Sequence, residues 1–211
     1  MDVEIWSDIA CPWCYVGKRR FEAALERFDG RDDVRVTWRS FELDPNAPAS
    51  RDEGAAEHLA SKYGMTVEEA RARQQQLAQM AAADGLEFHF GRVRSANTFD
   101  AHRLTHLAAA HDRQDAMTER LQRAHFTEGE LLSDHETLAR LAAEVGVPEE
   151  EAREMLAGDR FGAEVRDDER LAQEIGITAV PTFVVDRRVA VAGAQQPEVL
   201  RELLQRGVPV S

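Results

Sequence analysis

The 211-residue chain holds two cysteines, Cys11 and Cys14, within Ile5-Trp6-Ser7-Asp8-Ile9-Ala10-Cys11-Pro12-Trp13-Cys14-Tyr15-Val16-Gly17. A pair at this spacing suits thiol–disulfide exchange, in which one thiolate attacks a disulfide sulfur and a second thiol resolves the mixed disulfide. The flanking residues support that chemistry. An apolar run, Val3 to Trp6, precedes the pair, and Phe21, Ala24, Leu25 and Phe28 follow at three- and four-residue spacing, so a strand gives way to a helix here. Pro12 suits the first helical turn, where its missing N–H costs nothing. Cys11 therefore falls at or beside the N-cap, facing free N–H groups and the positive end of the helix dipole, which favour a thiolate. This placement makes Cys11 the attacking thiol and Cys14, one turn further in, the resolving one.

Three other readings compete. A structural disulfide closing so short a loop restrains little of the unfolded chain. A closed zinc site needs two more ligands, and there is no second cysteine pair, so no metal is expected. Inert core thiols are at odds with a polar turn. Redox chemistry leads, although the motif itself is short.

The totals describe a soluble globular chain of one well-buried domain, or one domain with a substantial insertion: 43% hydrophobic and 31% charged residues, with no apolar run of membrane-spanning length. Met1-Asp2-Val3-Glu4 is acidic where a signal peptide would be basic, so a cytoplasmic location is expected. A net charge of −13 disfavours nucleic acid and anionic membranes as partners.

Around the cysteines the chain reads as a strand (3–6), a helix from 12 to about 29 stopped by Gly30, and a second, parallel strand from Val34 to Trp38. Ligands of such sheets gather beyond the carboxyl ends of the strands, which places Phe41 on the same edge as Cys11, either lining a substrate groove or ending the core. After Asp44-Pro45-Asn46-Ala47-Pro48 the pattern becomes helical. Gly64 closes a helix, Thr66 with Glu69 opens another that runs to Gly85, and Asn97 with Asp100 opens a third. A further helix covers 114–128, Ser133 with Glu136 forms a second capping box, and Gly146 and Pro148 separate that helix from a short one. A helix over about 160–175, a hairpin of Thr182–Val185 with Val189–Val191, and a last helix from Pro197 to about Arg206 complete the plan. That helix has Val199, Leu200, Leu203 and Leu204 on one face and Gly207 beyond its end. The expected fold is α/β and thioredoxin-like with an all-helical insertion: residues 1–45 and 159–211 form the discontinuous thioredoxin-like domain, and 46–158 the insertion subdomain.

Gly176-Ile177-Thr178-Ala179-Val180-Pro181-Thr182-Phe183-Val184-Val185 is the second informative stretch. A proline directly before a strand marks an edge or a turn. Were the Val180–Pro181 bond cis, the Val180 backbone would face outward for an extended thiol substrate to pair with; the sequence leaves the isomer open.

Taken together, Cys11-Pro12-Trp13-Cys14-Tyr15-Val16-Gly17-Lys18-Arg19-Arg20-Phe21, Asn97-Thr98-Phe99-Asp100-Ala101-His102-Arg103-Leu104, and Val180-Pro181-Thr182-Phe183 with Gly193-Ala194-Gln195 resemble the FrnE-like branch of the DsbA family of thioredoxin-fold oxidoreductases. The resemblance covers nearly the whole chain. It implies that Cys11 is the nucleophile, Cys14 the resolving thiol and Pro181 the cis-proline packed against the disulfide. Broader relatives, the kappa-class glutathione transferases and 2-hydroxychromene-2-carboxylate isomerases, typically carry serine at the first cysteine position, which this chain does not. It also lacks the additional C-terminal cysteine pair of some FrnE-like proteins, which excludes an internal relay.

Several residues near these motifs have two readings. Asp8 is either a proton shuttle for the second thiol, which needs a raised carboxyl pKa, or a polar loop residue, the favoured choice. His102 and His106 lie one turn apart and read as helix-face histidines. Asn97 reads as an N-cap, to which the resemblance adds contact with substrate. Pro12, Trp13 and Val180 are expected to bound the substrate, Trp13 by apolar contact. Because Trp13 brings no charge, Cys11 should be less acidic than in pairs with an intervening histidine.

The leading expectation is a cytoplasmic thiol–disulfide oxidoreductase without a bound cofactor, acting on protein or small-molecule thiols and disulfides, with a small thiol as one conceivable redox partner. The alternative is a kappa-class-like transferase or isomerase that uses Cys11 to position a small thiol cofactor. A third reading is a non-catalytic, thiol-dependent binding module. Oligomeric state and the direction of exchange are not legible.

Overall fold

The computed structural model describes residues 1–208. Strand β1 (Asp2–Ser7) runs through the middle of the sheet and is buried from Val3 onward, because both faces are covered. Helix α1 (Pro12–Glu26) follows at once. It ends before residue 29, since the N–H groups of Arg27 and Phe28 turn back onto Ala24 and Leu25; Gly30 instead starts a single 3-10 turn, Arg31–Asp33. β2 (Arg35–Ser40) pairs parallel with β1, as the strand–helix–strand order requires. The late hairpin of β3 (Thr182–Val185) and β4 (Val189–Ala192) pairs antiparallel on the other side of β1, giving the order β2-β1-β3-β4. This is the α/β, thioredoxin-like arrangement with a helical insertion that the sequence leads one to expect.

Between β2 and β3 lie α2 (Ala55–Tyr63), α3 (Val67–Ala83), α4 (Phe99–Ala110), α5 (Gln114–Arg123), α6 (His135–Glu144), α7 (Glu149–Ala157) and α8 (Gly162–Glu174). The Thr66–Glu69 capping box forms with both hydrogen bonds, 3.1 and 2.8 Å. The second predicted box does not: Asp134 is the cap, accepting from Thr137 N at 2.9 Å, while Ser133 Oγ donates to the Ala49 carbonyl. An aspartate one position on holds the free N–H more strongly than a serine committed elsewhere. The regular helix predicted over 114–128 changes at Ala124 into a π-helical turn, Ala124–Glu128, that brings His125 and Phe126 inward.

The sheet core holds Ile5, Phe21, Trp38, Phe183 and Leu204, with α1 and α9 (Pro197–Gly207) packed together over it. A second core within the helices contains Leu104, Leu107, Met117, Leu121, Leu138 and Met155, with Ile9 reaching into it from the loop after β1. Two details of α9 differ from expectation. Val199 is exposed, and Gly207 lies inside the last turn, buried against β3. A Cβ at Gly207 would overlap Val185 Cγ1 and approach Met1 Cε to 3.3 Å. Gly207→Ala is therefore expected to lower stability by about 1–3 kcal/mol, although glycine-to-alanine changes in open helix positions usually stabilise. A urea midpoint at or above that of the wild type would contradict this.

Candidate active site

Cys11 is the N-cap of α1 with extended backbone angles, φ −93° and ψ 112°, and Pro12 occupies the first turn. Its N–H donates to the Asp8 carbonyl at 3.1 Å and its own carbonyl accepts from Cys14 N at 3.0 Å, so the turn is closed on both sides. Both thiols are free; Cys14 is fully buried and Cys11 is 5% exposed. Burial pushes the Cys14 thiol well up, and the neighbouring Cys11 adds to the rise. The Ser7 hydroxyl, which meets no oxygen or nitrogen partner, and the Asp8 backbone work the other way. The two cysteines thus stand in unequal surroundings, as attack and resolution require.

Helix α1 is fixed on two sides. Toward α5, Tyr15 Oη donates to Glu119 at 2.6 Å, and the buried Lys18 meets Asp115 at 2.8 Å and Glu22. Toward the sheet, Gly17 lies so close to Pro181 that a Cβ would stand 2.8 Å from Pro181 Cγ. The Val180–Pro181 bond is cis.

In front of Cys11 opens a cavity of about 730 Å³, bounded by the loop after β1, the segment after β2, α2, α3, the π turn and the residues before β3. Of the residues expected at a substrate site, Cys11, Pro12, Trp13 and Val180 line it together. Trp13, Leu43 and Tyr63, three of the large exposed apolar side chains, stand on its wall. Cys14 and Pro181 lie behind it, both buried. Phe41 and Asn97 are not brought there. Phe41 packs with Trp6, Ile177 and Val184, because its N–H continues the ladder to Ser7 O at 3.2 Å and turns the ring into the core. Asn97 Oδ1 accepts from Phe99 N at 2.8 Å, a capping contact at the start of α4, while its neighbours Ala96 and Thr98 face the cavity.

Asp8 lies in the loop after β1 but is not the exposed polar residue expected there, being 2% exposed. Its carboxylate accepts from Leu43 N at 2.8 Å, Ala10 N at 3.2 Å and Thr98 Oγ1 at 3.1 Å, and His102 Nε2 stands 3.4 Å away. Burial alone would raise its pKa, but His102 and the two N–H groups more than offset this and hold it below the usual value. A proton shuttle needs the opposite shift, so Asp8 joins β1, β2's exit and α4 as a fixed anion. His102 is buried with it, and His106 is held by Ser40 Oγ at 3.1 Å and Asp168 at 3.2 Å, so the two histidines link the inserted helices to the sheet. Sequence reasoning missed His125 on the cavity wall, where burial pulls its pKa down to about 4 and leaves it neutral. Only the π turn points it inward, and no sequence signal announced that turn. Among the described residues no group of three or more His, Cys, Asp or Glu is placed to hold a metal ion.

Comparison with known proteins gives a consistent picture. The model of the DSBA-like thioredoxin domain family matches residues 2–205. A probable DsbA oxidoreductase from Streptomyces coelicolor is 44% identical and superposes with a TM-score of 0.94, covering 100% of this chain and 93% of its own. An uncharacterised Bacillus subtilis protein, YwbO, is 30% identical over 204 residues, 96% of this chain and 94% of its own. The cytosolic disulfide reductase DsbM from Pseudomonas aeruginosa, solved with glutathione, shares the fold at 22% identity, a TM-score of 0.69 and 98% coverage of both chains.

Proposed function

The chain belongs to the DSBA-like thioredoxin domain family and is a disulfide oxidoreductase; on that premise we propose that it exchanges disulfides through a mixed disulfide at Cys11, which Cys14 resolves. The observation that carries this is the inequality of the two thiols: Cys11 caps α1 on the cavity wall, whereas Cys14 is sealed one turn behind it with its thiol pushed up. A thiolate at a helix start is the better nucleophile toward an incoming disulfide. Pro12 and Trp13 bound the substrate on the cysteine side and Val180 on the other, with Pro181 closing the back of the pair.

The substrates are thiols or disulfides of proteins or small molecules, and the exchange needs no prosthetic group. A cytoplasmic setting agrees with the cytosolic DsbM of like fold; among the described residues, no helix is long and apolar enough to cross a membrane. The FrnE-like branch rests on the quoted motifs.

Trapping tests the mechanism. Cys14→Ser is expected to abolish multiple turnover while accumulating substrate on Cys11 as a stable, reductant-sensitive adduct. If the variant turned over at the wild-type rate, resolution by Cys14 would be wrong and the kappa-class-like use of Cys11 to position a small thiol would take its place.

A further inference from the structure

The cavity in front of Cys11 has a charge pattern unlike the rest of this acidic chain. The carboxylates among its described lining residues are Asp8 and Asp44. Asp8 is sealed by its own partners, and Asp44 is matched by Arg51 at 2.8 Å. His58, also on the wall, faces Glu53 at 2.9 Å. Lys62 and Arg73, from α2 and α3, line the same space, and neither is in ion-pair contact with a carboxylate among the described residues. Glu69, one turn before Arg73, is committed to the Thr66 capping box. Arg73 still feels the Glu69 charge one turn away, but the cavity is left with two cations outside any ion-pair contact among the described residues, in a chain of net charge −13.

Helix α3 orders the wall. Ala81 and Leu77 pack with Tyr15 and Phe126 beside the cysteine pair, Met80 and Leu77 present apolar surface, and Arg73 lies one further turn away. From Met80 to Arg73 the helix rises about 10 Å, at roughly 1.5 Å per residue. Leu59 and Lys62 repeat this apolar-to-cationic sequence along α2.

We propose that the cavity takes low-molecular-mass thiols and disulfides in which an apolar body separates the sulfur from an anionic end, with the anion held by Lys62 and Arg73. This rests on the exchange chemistry proposed above and specifies its substrate class. For a reducing dithiol of this kind, one thiolate attacks Cys11 Sγ of the oxidised protein and breaks the Cys11–Cys14 bond; Cys14 leaves as a thiolate and takes up a proton. The second thiol of the bound molecule then attacks the first sulfur, loses its proton, closes a cyclic disulfide and frees Cys11. Two electrons pass to the protein, and the dithiol is oxidised by two.

Dihydrolipoate and dihydrolipoamide share one apolar body and one dithiol and differ in the charge of the far end. Reduction of the oxidised full chain by each, followed over a concentration series to saturation, is expected to half-saturate at about tenfold lower concentration for the anion, the upper end of what two exposed ion pairs supply. Raising the salt concentration should shrink that ratio. Lys62→Gln with Arg73→Gln should bring it close to one, whereas Arg188→Gln, an exposed charge in the β3–β4 turn, should leave it near tenfold. A ratio near one in the wild type, or a ratio that survives the double substitution, would overturn the proposal. So would saturation by glutathione, whose body is polar, with none by either dihydrolipoyl compound. Failure of dithiothreitol to reduce the protein would strike the exchange mechanism instead.

Discussion

Replacing Asp8 by alanine is expected to destabilise the fold by about 3–5 kcal/mol, the cost of removing one member of a buried charged cluster while the others stay. Four groups depend on that carboxylate: the N–H groups of Leu43 and Ala10, the Thr98 hydroxyl and His102. They come from the segments after β1 and β2 and from the start of α4, so its loss loosens the sheet, the cysteine loop and the inserted helices together. Asp8→Asn keeps an acceptor and should cost less. The same carboxylate imposes a pH dependence of definite sign. Its pKa is lower in the folded chain than in the unfolded one, so its contribution is complete above the ordinary aspartate pKa and is lost as pH falls through the folded value. Asp168, which Arg39, the Ser40 N–H and His106 hold low against burial, acts in the same direction. Stability from urea titrations should fall with acid below about pH 4 in the wild type, and less steeply in Asp8→Asn. Parallel acid limbs for the two proteins would show that Asp8 is not the group responsible.

What the sequence made legible follows the range of each interaction. Cys11 at the N-cap, the Thr66–Glu69 box and the β3–β4 hairpin are set by residues close to one another in sequence, the farthest hairpin pair being Thr182 with Ala192, and each is found where local pattern puts it. The burial of Asp8 is not legible because exposure is a tertiary property: beyond the local Ala10 N–H, its donors Leu43 and Thr98 lie 35 and 90 residues away. Phe41 was ambiguous for the same reason, since strand-end position gives the edge of the sheet but not the face a ring will take. Ser133 satisfied the capping pattern, yet a distant carbonyl, Ala49, and an adjacent aspartate decided the outcome. The cavity is the extreme case. Its walls come from segments spread from Asp8 to Val180, and the presence of Lys62 and Arg73, from two helices, on one cavity wall has no signature in either helix alone.

Alkylation of the reduced protein should separate the two cysteines sharply. At neutral pH iodoacetamide is expected to modify Cys11 at least about tenfold faster than Cys14, since Cys14 is sealed from solvent and its thiol is pushed up, which leaves less of the reactive thiolate. Burial is the largest cause of the raised Cys14 thiol, followed by the hydrogen bond and charge of Cys11 itself. The second cause is conditional. Once Cys11 is bonded to a substrate sulfur it carries no charge and no longer holds the Cys14 proton as an anionic acceptor, so that part of the penalty on Cys14 disappears, while the Ser7 hydroxyl and Asp8 backbone still favour its ionisation. On the exchange mechanism we propose, Cys14 is therefore quiet in the resting dithiol and released when there is a mixed disulfide to attack. Mass mapping of singly labelled protein should find the label on Cys11, with Cys14 labelled only after unfolding. Comparable labelling of both in the folded state would remove the asymmetry on which resolution by Cys14 depends.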